Sequence, residues 1–354
     1  MAERGAAGTV TKIAEAVGET HRTVHDIEVD APAGVVYGLI ADPVQWPLLF
    51  PPNVYVDRLA HDGTHEHLRM WATANGQVKT WTSRRILDAG NRRIEFRQDA
   101  AAPPLSEMTG TWEVEPLGGD RCRLTLLHDF RVSGDDPEDI AWVERATDAN
   151  SRAELDSLAR IAGGWALMDQ LVMTFEDTVR VEAPPERVYA FLERADRWPV
   201  LLPHVARLDL TEDPALPGVQ LLAMDTLTAD GSSHTTESVR VCFPEEGRIV
   251  YKQTRPPALM SAHTGVWTVT GDARGSTVTS RHGVVLRPDA VTRVLGPTAD
   301  LAAARRYVRD ALGRNSTVTM THAKRDAEAA ARAAAARAIA AQPAAQAARA
   351  ARAA

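Results

Sequence analysis

Cysteine is almost missing from this chain: Cys122 and Cys242 are the two in 354 residues, and they lie far apart. That scarcity gives no disulfide framework and no cysteine zinc site, and a reducing compartment is the expectation. Long apolar runs are missing too. The opening stretch MAERGAAGTVTKIAEAV has no hydrophobic signal core, and nothing approaches the roughly 18 apolar residues that cross a bilayer. A cytoplasmic protein without membrane association is expected. Positive charge is not in excess either: a net charge of -7 argues against a nucleic-acid partner, which would call for a basic face. No glycine-rich phosphate loop and no G-x-S-x-G elbow occurs. His61, His65 and His67 are close together beside Gly63, but no cysteine or carboxylate stands in ligand spacing, so no metal site is read.

What is present fits a soluble protein, 44% hydrophobic and 25% charged, long enough for about two domains. The strongest pattern is an internal repeat. DAPAGVVYGLIADPVQWPLLFPP from Asp30 and EAPPERVYAFLERADRWPVLLPH from Glu182 align position by position. Ala31, Pro32, Val36, Tyr37, Trp46, Pro47, Leu49 and Pro51 recur 152 residues later. Ser83 and Arg85 match Ser238 and Arg240, and Gly110 and Trp112 match Gly265 and Trp267, all 155 apart. His128 falls against His282, and Asn150-Ser151 against Asn315-Ser316. An offset that drifts between matched segments indicates two copies of one fold with different loops, a domain duplication.

Each copy runs in one order. A strand (His25 to Val29; Thr178 to Glu182) leads into a helix with proline in its first turn (Pro32; Pro184, Pro185). A Trp-Pro turn follows, then alternating segments punctuated by HDG, ANG, DAGN and LGGD, the mark of an antiparallel meander. A long helix closes the first copy. It opens at Asp136-Pro137, carries Ile140, Val143, Thr147, Asn150, Leu158 and Ile161 on one side, and stops at Gly163-Gly164. The second copy closes from about Thr298 through Val318. Beyond Ala323 the chain is nearly all alanine and arginine, with no apolar stripe, and reads as a tail. The expected organisation is an N-terminal tail (1–20), two α+β domains (21–165 and 166–322) and an Ala/Arg tail (323–354). In each domain a curved antiparallel sheet wraps a long C-terminal helix and leaves an interior pocket.

Alternation assigns inward faces. Cys122, Leu124, Leu126, His128 and Phe130 share one; Val278, Ser280, His282, Val284 and Leu286 share its counterpart. Met108, Gly110, Trp112 and Val114 form another, matched by His263, Gly265, Trp267 and Val269. The strand VKTWTSRRI is ambiguous. Either Val78, Thr80, Thr82, Arg84 and Ile86 face inward, or Trp81, Ser83 and Arg85 do. Composition favours leaving Ser and Arg outside; the recurrence of Ser238 and Arg240 favours the opposite, although Trp81 becomes Thr236.

The segments WPLLFPP, WATANG, KTWTSRRI, MTGTWEVEPLG, LLHDFR and ATDANSRAEL, in register over roughly residues 21 to 322, resemble the polyketide aromatase/cyclases of bacterial type II polyketide synthases, in their di-domain layout. The resemblance implies a helix-grip fold similar to START and Bet v 1 domains. It implies an interior pocket for a poly-β-ketone tethered to an acyl carrier protein, other synthase components as partners, and no cofactor. The implied reaction is first-ring closure of the carbon 7 to carbon 12 type, its dehydrative aromatisation, or both, often after ketoreduction at carbon 9, in aromatic polyketide antibiotic biosynthesis. It carries the pocket Trp, Ser and Arg onto Trp81, Ser83 and Arg85, and the turn aromatics onto Trp46 and Phe50. A tyrosine that some members have after this turn falls at Asn53. The second copy lacks both the Trp (Thr236) and the Phe (Leu202).

The residue chemistry suits such a role, with a plain alternative beside each. Arg85, always charged, would stabilise an enolate oxygen, or be a surface arginine. Ser83 would donate to the same carbonyl, or bond backbone. His128 would move the α-proton or protonate the departing hydroxyl, or be a core histidine. Trp46, Phe50, Trp81 and Trp112 would shape an apolar channel, with Asn150 orienting substrate oxygens, or all could be ordinary core. In the second copy the counterparts are Ser238, Arg240, His263, Trp267 and His282. Arg92 and Arg93 could meet an acidic carrier protein or lie on a solvated turn. The rival reading is a non-catalytic binding protein or chaperone for a hydrophobic small molecule, because a fold does not dictate a function.

Overall fold

The computed structural model describes residues 18–353 except 102 and 228–232. Most of the N-terminal tail, through residue 17, lies outside them. The first domain runs β1 (His21–Val29), α1 (Ala33–Ala41), α2 (Trp46–Leu49), β2 (Asn53–His61), β3 (His65–Ala74), β4 (Gln77–Asp88), β5 (Arg93–Ala100), β6 (Leu105–Gly118), β7 (Arg121–Val132) and α3 (Pro137–Gly163). A short α4 (Met168–Leu171) leads into the second: β8 (Val172–Val181), α5 (Pro185–Glu193), α6 (Trp198–Leu201), β9 (Val205–Glu212), β10 (Val219–Leu227), β11 (Ser233–Phe243), β12 (Arg248–Arg255), β13 (Met260–Asp272), β14 (Gly275–Leu286), α7 (Val291–Leu295) and α8 (Leu301–Ala353).

Each domain holds one seven-stranded antiparallel sheet, ordered β1-β7-β6-β5-β4-β3-β2 and β8-β14-β13-β12-β11-β10-β9. The meander follows from local turns. Asn75 and Gly76 both have positive φ, 48° and 76°, the backbone a two-residue hairpin needs, so β3 folds straight back as β4. The long helix α3 starts where Asp136 caps it, its carboxylate accepting the Glu138 N–H at 2.8 Å, with Pro137 behind the cap. Val143, Leu155, Leu158 and Ile161 are buried on it, and Leu155, Leu158 and Ile161 pack in one core with Leu68, Ile94, Leu124 and Leu126 of the sheet. This is the helix-grip arrangement the sequence implied, made twice.

Two expectations change. β1 and β8 begin earlier than read, at His21 and Val172, because the half-buried positions of β1 are His21, Thr23 and His25, which carry no apolar signal. The closing helix of the second domain also does not stop near Val318. It continues through the alanines, and Ala323 and Ala327 are fully buried against a core that includes Val188 and Leu192 of α5. A methyl group is apolar surface enough when helices approach closely, so an alanine run can be part of a core without any large residue.

The sheets meet along their outer faces. Val54, Trp71 and Val78 of β2 to β4 pack with Val219, Val239, Val241 and Val250 of β10 to β12. Leu48 packs on Ala262 and Val285. Val78 is therefore buried although it points away from the first domain's interior, which is why β4 showed no clean apolar face. Among the described residues no helix is long and apolar enough to cross a membrane.

Candidate active site

The ambiguous strand resolves inward. Ser83 and Arg85 are each 1% exposed, while Arg84 and Ile86 are exposed. One cavity of about 160 Å³ in the first domain is lined by all eight residues singled out there: Trp46, Phe50, Trp81, Ser83, Arg85, Trp112, His128 and Asn150. Lys79, Phe96, Gln98, Trp142, Thr147 and Glu154 also line it.

Arg85 is held before any ligand arrives. Its Nε and Nη2 donate to Glu66 at 2.9 and 2.5 Å, Nη1 donates to Ile40 O at 3.0 Å, and Nη2 to Ala41 O at 2.9 Å. Its plane lies 4.8 Å from the Trp46 ring centre. The two carbonyls are the last of α1, where the helix dipole is negative, so the guanidinium sits in a basin of acceptors. Four of its five N–H groups are used, leaving one on Nη1. Burial pulls the Arg85 pKa down while Glu66 opposes it. Glu66 itself is 3% exposed and has Arg58 Nε at 3.1 Å on its other oxygen. The alternation Glu66, Leu68, Met70 along β3 was the available signal: a carboxylate on an apolar face requires a buried partner.

The aromatic wall is a stack. The Trp46 and Phe50 rings are 5.2 Å apart and tilted, and Phe50 lies parallel to Trp112 at 5.8 Å. Phe96 meets His128 edge to face at 5.4 Å. A Cβ on Gly110 would fall 2.3 Å from both Phe96 Cζ and Leu127 O, so the absent side chain is what lets Phe96 brace the histidine. His128 Nδ1 has no hydrogen-bond partner among the described residues. Burial pushes the His128 pKa down to about 4, with the neighbouring His25 adding to the effect, so the imidazole is neutral at ordinary pH. Ser83 donates its hydroxyl to Arg97 O at 3.0 Å, and the Asn150 amide donates to Thr73 O at 3.0 Å. Both are anchored in the wall.

Asn315, the counterpart of Asn150, lines a cavity in the second domain, but the other counterparts do not line it. That cavity, about 700 Å³, lies among Pro203, His204, His234, Met260, Tyr307 and Asn315, and none of Ser238, Arg240, His263, Trp267 and His282 lines it. Deeper in, His263 bonds Gln253 at 2.8 Å and His282 at 3.0 Å, and His282 reaches Ser280 at 3.1 Å and the Tyr251 hydroxyl at 3.3 Å. These side chains satisfy one another. Arg240 stacks 5.4 Å from Trp198 and donates to Leu192 O at 2.6 Å, but its Nε and Nη1 are unpartnered among the described residues.

Sequence reasoning missed Glu66, Glu154 and Lys252. Lys252, 3% exposed on the outer face of β12, crosses to the first domain and donates to the carbonyls of Phe50, Pro51 and Asn53 at 2.6, 2.9 and 2.7 Å. No linear pattern signals a lysine buried between domains. Among the described residues no group of histidine, cysteine or carboxylate side chains is arranged to hold a metal.

The comparisons with known proteins agree with this double architecture. A family model described as polyketide cyclase / dehydrase and lipid transport matches residues 20–163 and again 173–317. The granaticin polyketide synthase bifunctional cyclase/dehydratase of Streptomyces violaceoruber is 46% identical, over 88% of this chain and 95% of that protein. The actinorhodin polyketide synthase bifunctional cyclase/dehydratase of Streptomyces coelicolor is 43% identical, over 88% of this chain and 98% of that protein. Among solved structures, the di-domain ARO/CYC BexL from the BE-7585A biosynthetic pathway matches with a TM-score of 0.77 at 49% identity, covering 87% of this chain and 99% of that one. StfQ, a di-domain ARO/CYC from the steffimycin pathway, matches with a TM-score of 0.73 at 32% identity and the same coverage. With the family model matched twice and these relatives spanned almost end to end, the chain belongs to the polyketide cyclase/dehydrase family, as a member with two tandem domains.

Proposed function

We propose that this protein is an aromatase/cyclase of aromatic polyketide biosynthesis, and that its chemistry takes place in the first domain. The substrate is a poly-β-ketone carried by an acyl carrier protein. The reaction is first-ring closure between carbon 7 and carbon 12 of a ketoreduced chain, followed by loss of water. The observation that carries the reading is the convergence of Trp81, Ser83, Arg85, His128 and Asn150 on one aromatic-walled cavity. Aldol closure and dehydration are redox-neutral, so the reaction calls for no electron-carrying cofactor.

The geometry supports a role for each residue. Neutral His128, unpartnered at Nδ1, takes an α-proton from a carbon flanked by carbonyls. The remaining Nη1 N–H of Arg85, fixed by four other bonds, meets the enolate oxygen without having to reorganise. Ser83, its proton committed to Arg97 O, presents lone pairs to a substrate hydroxyl. Trp46, Phe50 and Trp112 hold the chain in one register.

A reconstituted minimal synthase tests this. With the wild-type protein present, ring-closed, dehydrated product should form; His128→Asn, a near-isosteric change, should lower its rate by about 10²-fold or more. Equal product distributions with wild type, His128→Asn and no added protein would leave only the carrier reading.

A further inference from the structure

Glu154 stands one turn beyond Asn150 on α3, in the cavity wall, and has no hydrogen-bond or ion-pair partner among the described residues. The cation that acts on it comes from the other domain: Lys252, whose three ammonium protons match the carbonyls of Phe50, Pro51 and Asn53. The turn of these residues presents Phe50 and Asn53 to the cavity. Burying a lysine is costly unless its donors are used, and here every acceptor belongs to the turn that carries Phe50 and Asn53 into the cavity wall.

Resting on the aromatase reading above, we propose that the second domain completes the first pocket: Lys252 is a positioning residue that fastens the Phe50–Asn53 turn and faces Glu154, and Glu154 is the acid that gives its proton to the departing hydroxyl.

The proton inventory supports this division. His128 is a base at neutral pH, because its conjugate acid is too strong to persist. The other charged groups lining the cavity are Lys79 and Arg85 of β4, and Arg85 is already committed to Glu66. Burial pushes the Glu154 pKa up to about 8, with Lys252 opposing, so its carboxyl is protonated near neutrality. Burial lowers the Lys252 pKa as well, while Glu154 opposes that shift.

In the step itself, His128 takes the α-proton and the C–H electron pair enters the enolate. The enolate re-forms its carbonyl, a carbon–carbon double bond forms, and the C–O bond breaks with its electron pair on oxygen. That oxygen takes the Glu154 proton and leaves as water. The imidazolium then passes its proton through water to the Glu154 carboxylate, and both groups are restored.

The experiment uses the full chain and a ring-closed β-hydroxyketone thioester, with water loss followed by the absorbance of the conjugated product. Glu154→Gln should lower kcat for water loss by about 10²-fold with KM little changed, and Glu154→Asp should recover part of it. Wild-type water loss should fall above about pH 8 as Glu154 ionises. Removing the cation raises the carboxyl pKa, so Lys252→Met should lower kcat and move that fall to higher pH. Arg248→Met removes another cross-domain bond, to the Tyr55 hydroxyl, and should leave water loss at the wild-type rate. Undiminished water loss in Glu154→Gln overturns the acid assignment. An unmoved profile in Lys252→Met, or equal losses in Lys252→Met and Arg248→Met, overturns the pairing. If wild type itself removes no water, the aromatase reading fails, an outcome distinct from these.

Discussion

Arg85 faces Glu66 across the β3–β4 pair, and at the matching place in the second domain Arg240 faces Gln220 across β10–β11. Both arginines are buried, both stack on the tryptophan of their own Trp-Pro turn, and both reach a carbonyl near the end of the preceding helix. The first has a counter-charge and an almost filled fork; the second has an amide opposite and two unpartnered nitrogens among the described residues. The difference extends inward. Phe96 and Met108 of the first domain become Tyr251 and His263, which join His282 in a closed hydrogen-bond network where the first domain keeps open space beside His128. A duplicated frame thus encloses an aromatic-walled cavity in one copy and packs a hydrogen-bonded histidine network at the matching place in the other.

The largest effect is expected from exchanging the carboxylate for the amide. Glu66→Gln leaves Arg85 buried without its counter-charge, and breaking one side of such a pair costs about 3–5 kcal/mol. Chemical denaturation should show that loss, with ring formation abolished. The reverse change, Gln220→Glu, gives Arg240 a counter-charge but loses the amide's bond to Glu212 at 2.8 Å and sets two carboxylates together, so it should stabilise the second domain by less than Glu66→Gln costs the first; an equal gain would mean that Glu212 does not distinguish the two sites.

A smaller effect separates the two glycines. A Cβ at Gly265 would fall 2.2 Å from Tyr251, as one at Gly110 would meet Phe96. Each alanine substitution should cost about 1–3 kcal/mol through overpacking. Gly110→Ala should also slow catalysis, because Phe96 braces His128, whereas Gly265→Ala should not; equal catalytic losses would contradict the placement of the chemistry.

The smallest effect is on acid stability. His128 and His282 are both lowered to about 4, and His263 is lowered as well, all chiefly by burial. A histidine whose folded pKa lies below its unfolded value near 6.5 contributes stability that is complete above about 6.5 and is lost as pH falls toward 4. The second domain, where burial lowers His204 and His234 as well, has four such residues to the first domain's one and should lose more over that window. His282→Asn should flatten the dependence of the midpoint on pH, and a slope that stays unchanged would remove histidine as its source.

Much of this was legible in one dimension. The 152-residue offset between Trp46 and Trp198 gave away the duplication, and alternation placed His128, Trp112 and their counterparts inward, because a strand's period of two is a local property. Asp136-Pro137 marked the start of α3 for the same reason, a cap being a contact within one turn. The face of β4 was harder: Val78 is covered by the other domain, so both faces are partly buried and neither reads as solvent. Glu66 could have been suspected from its apolar neighbours on β3. Nothing along the chain links Glu154 to Lys252, which lie about a hundred positions apart in different domains.

By itself, the sequence determined a duplicated α+β domain and most of its shared inward faces, because these follow from short-range periodicity repeated twice; the inward face of β4 rested on the second copy and the family resemblance. The tertiary structure alone decided that the second set of polar residues closes on itself, that Arg85 is tethered to Glu66, and that Lys252 reaches into the first domain's turn. Those outcomes depend on which side chains meet across sheets and between domains. Distance in space settles that, and spacing along the chain does not carry it.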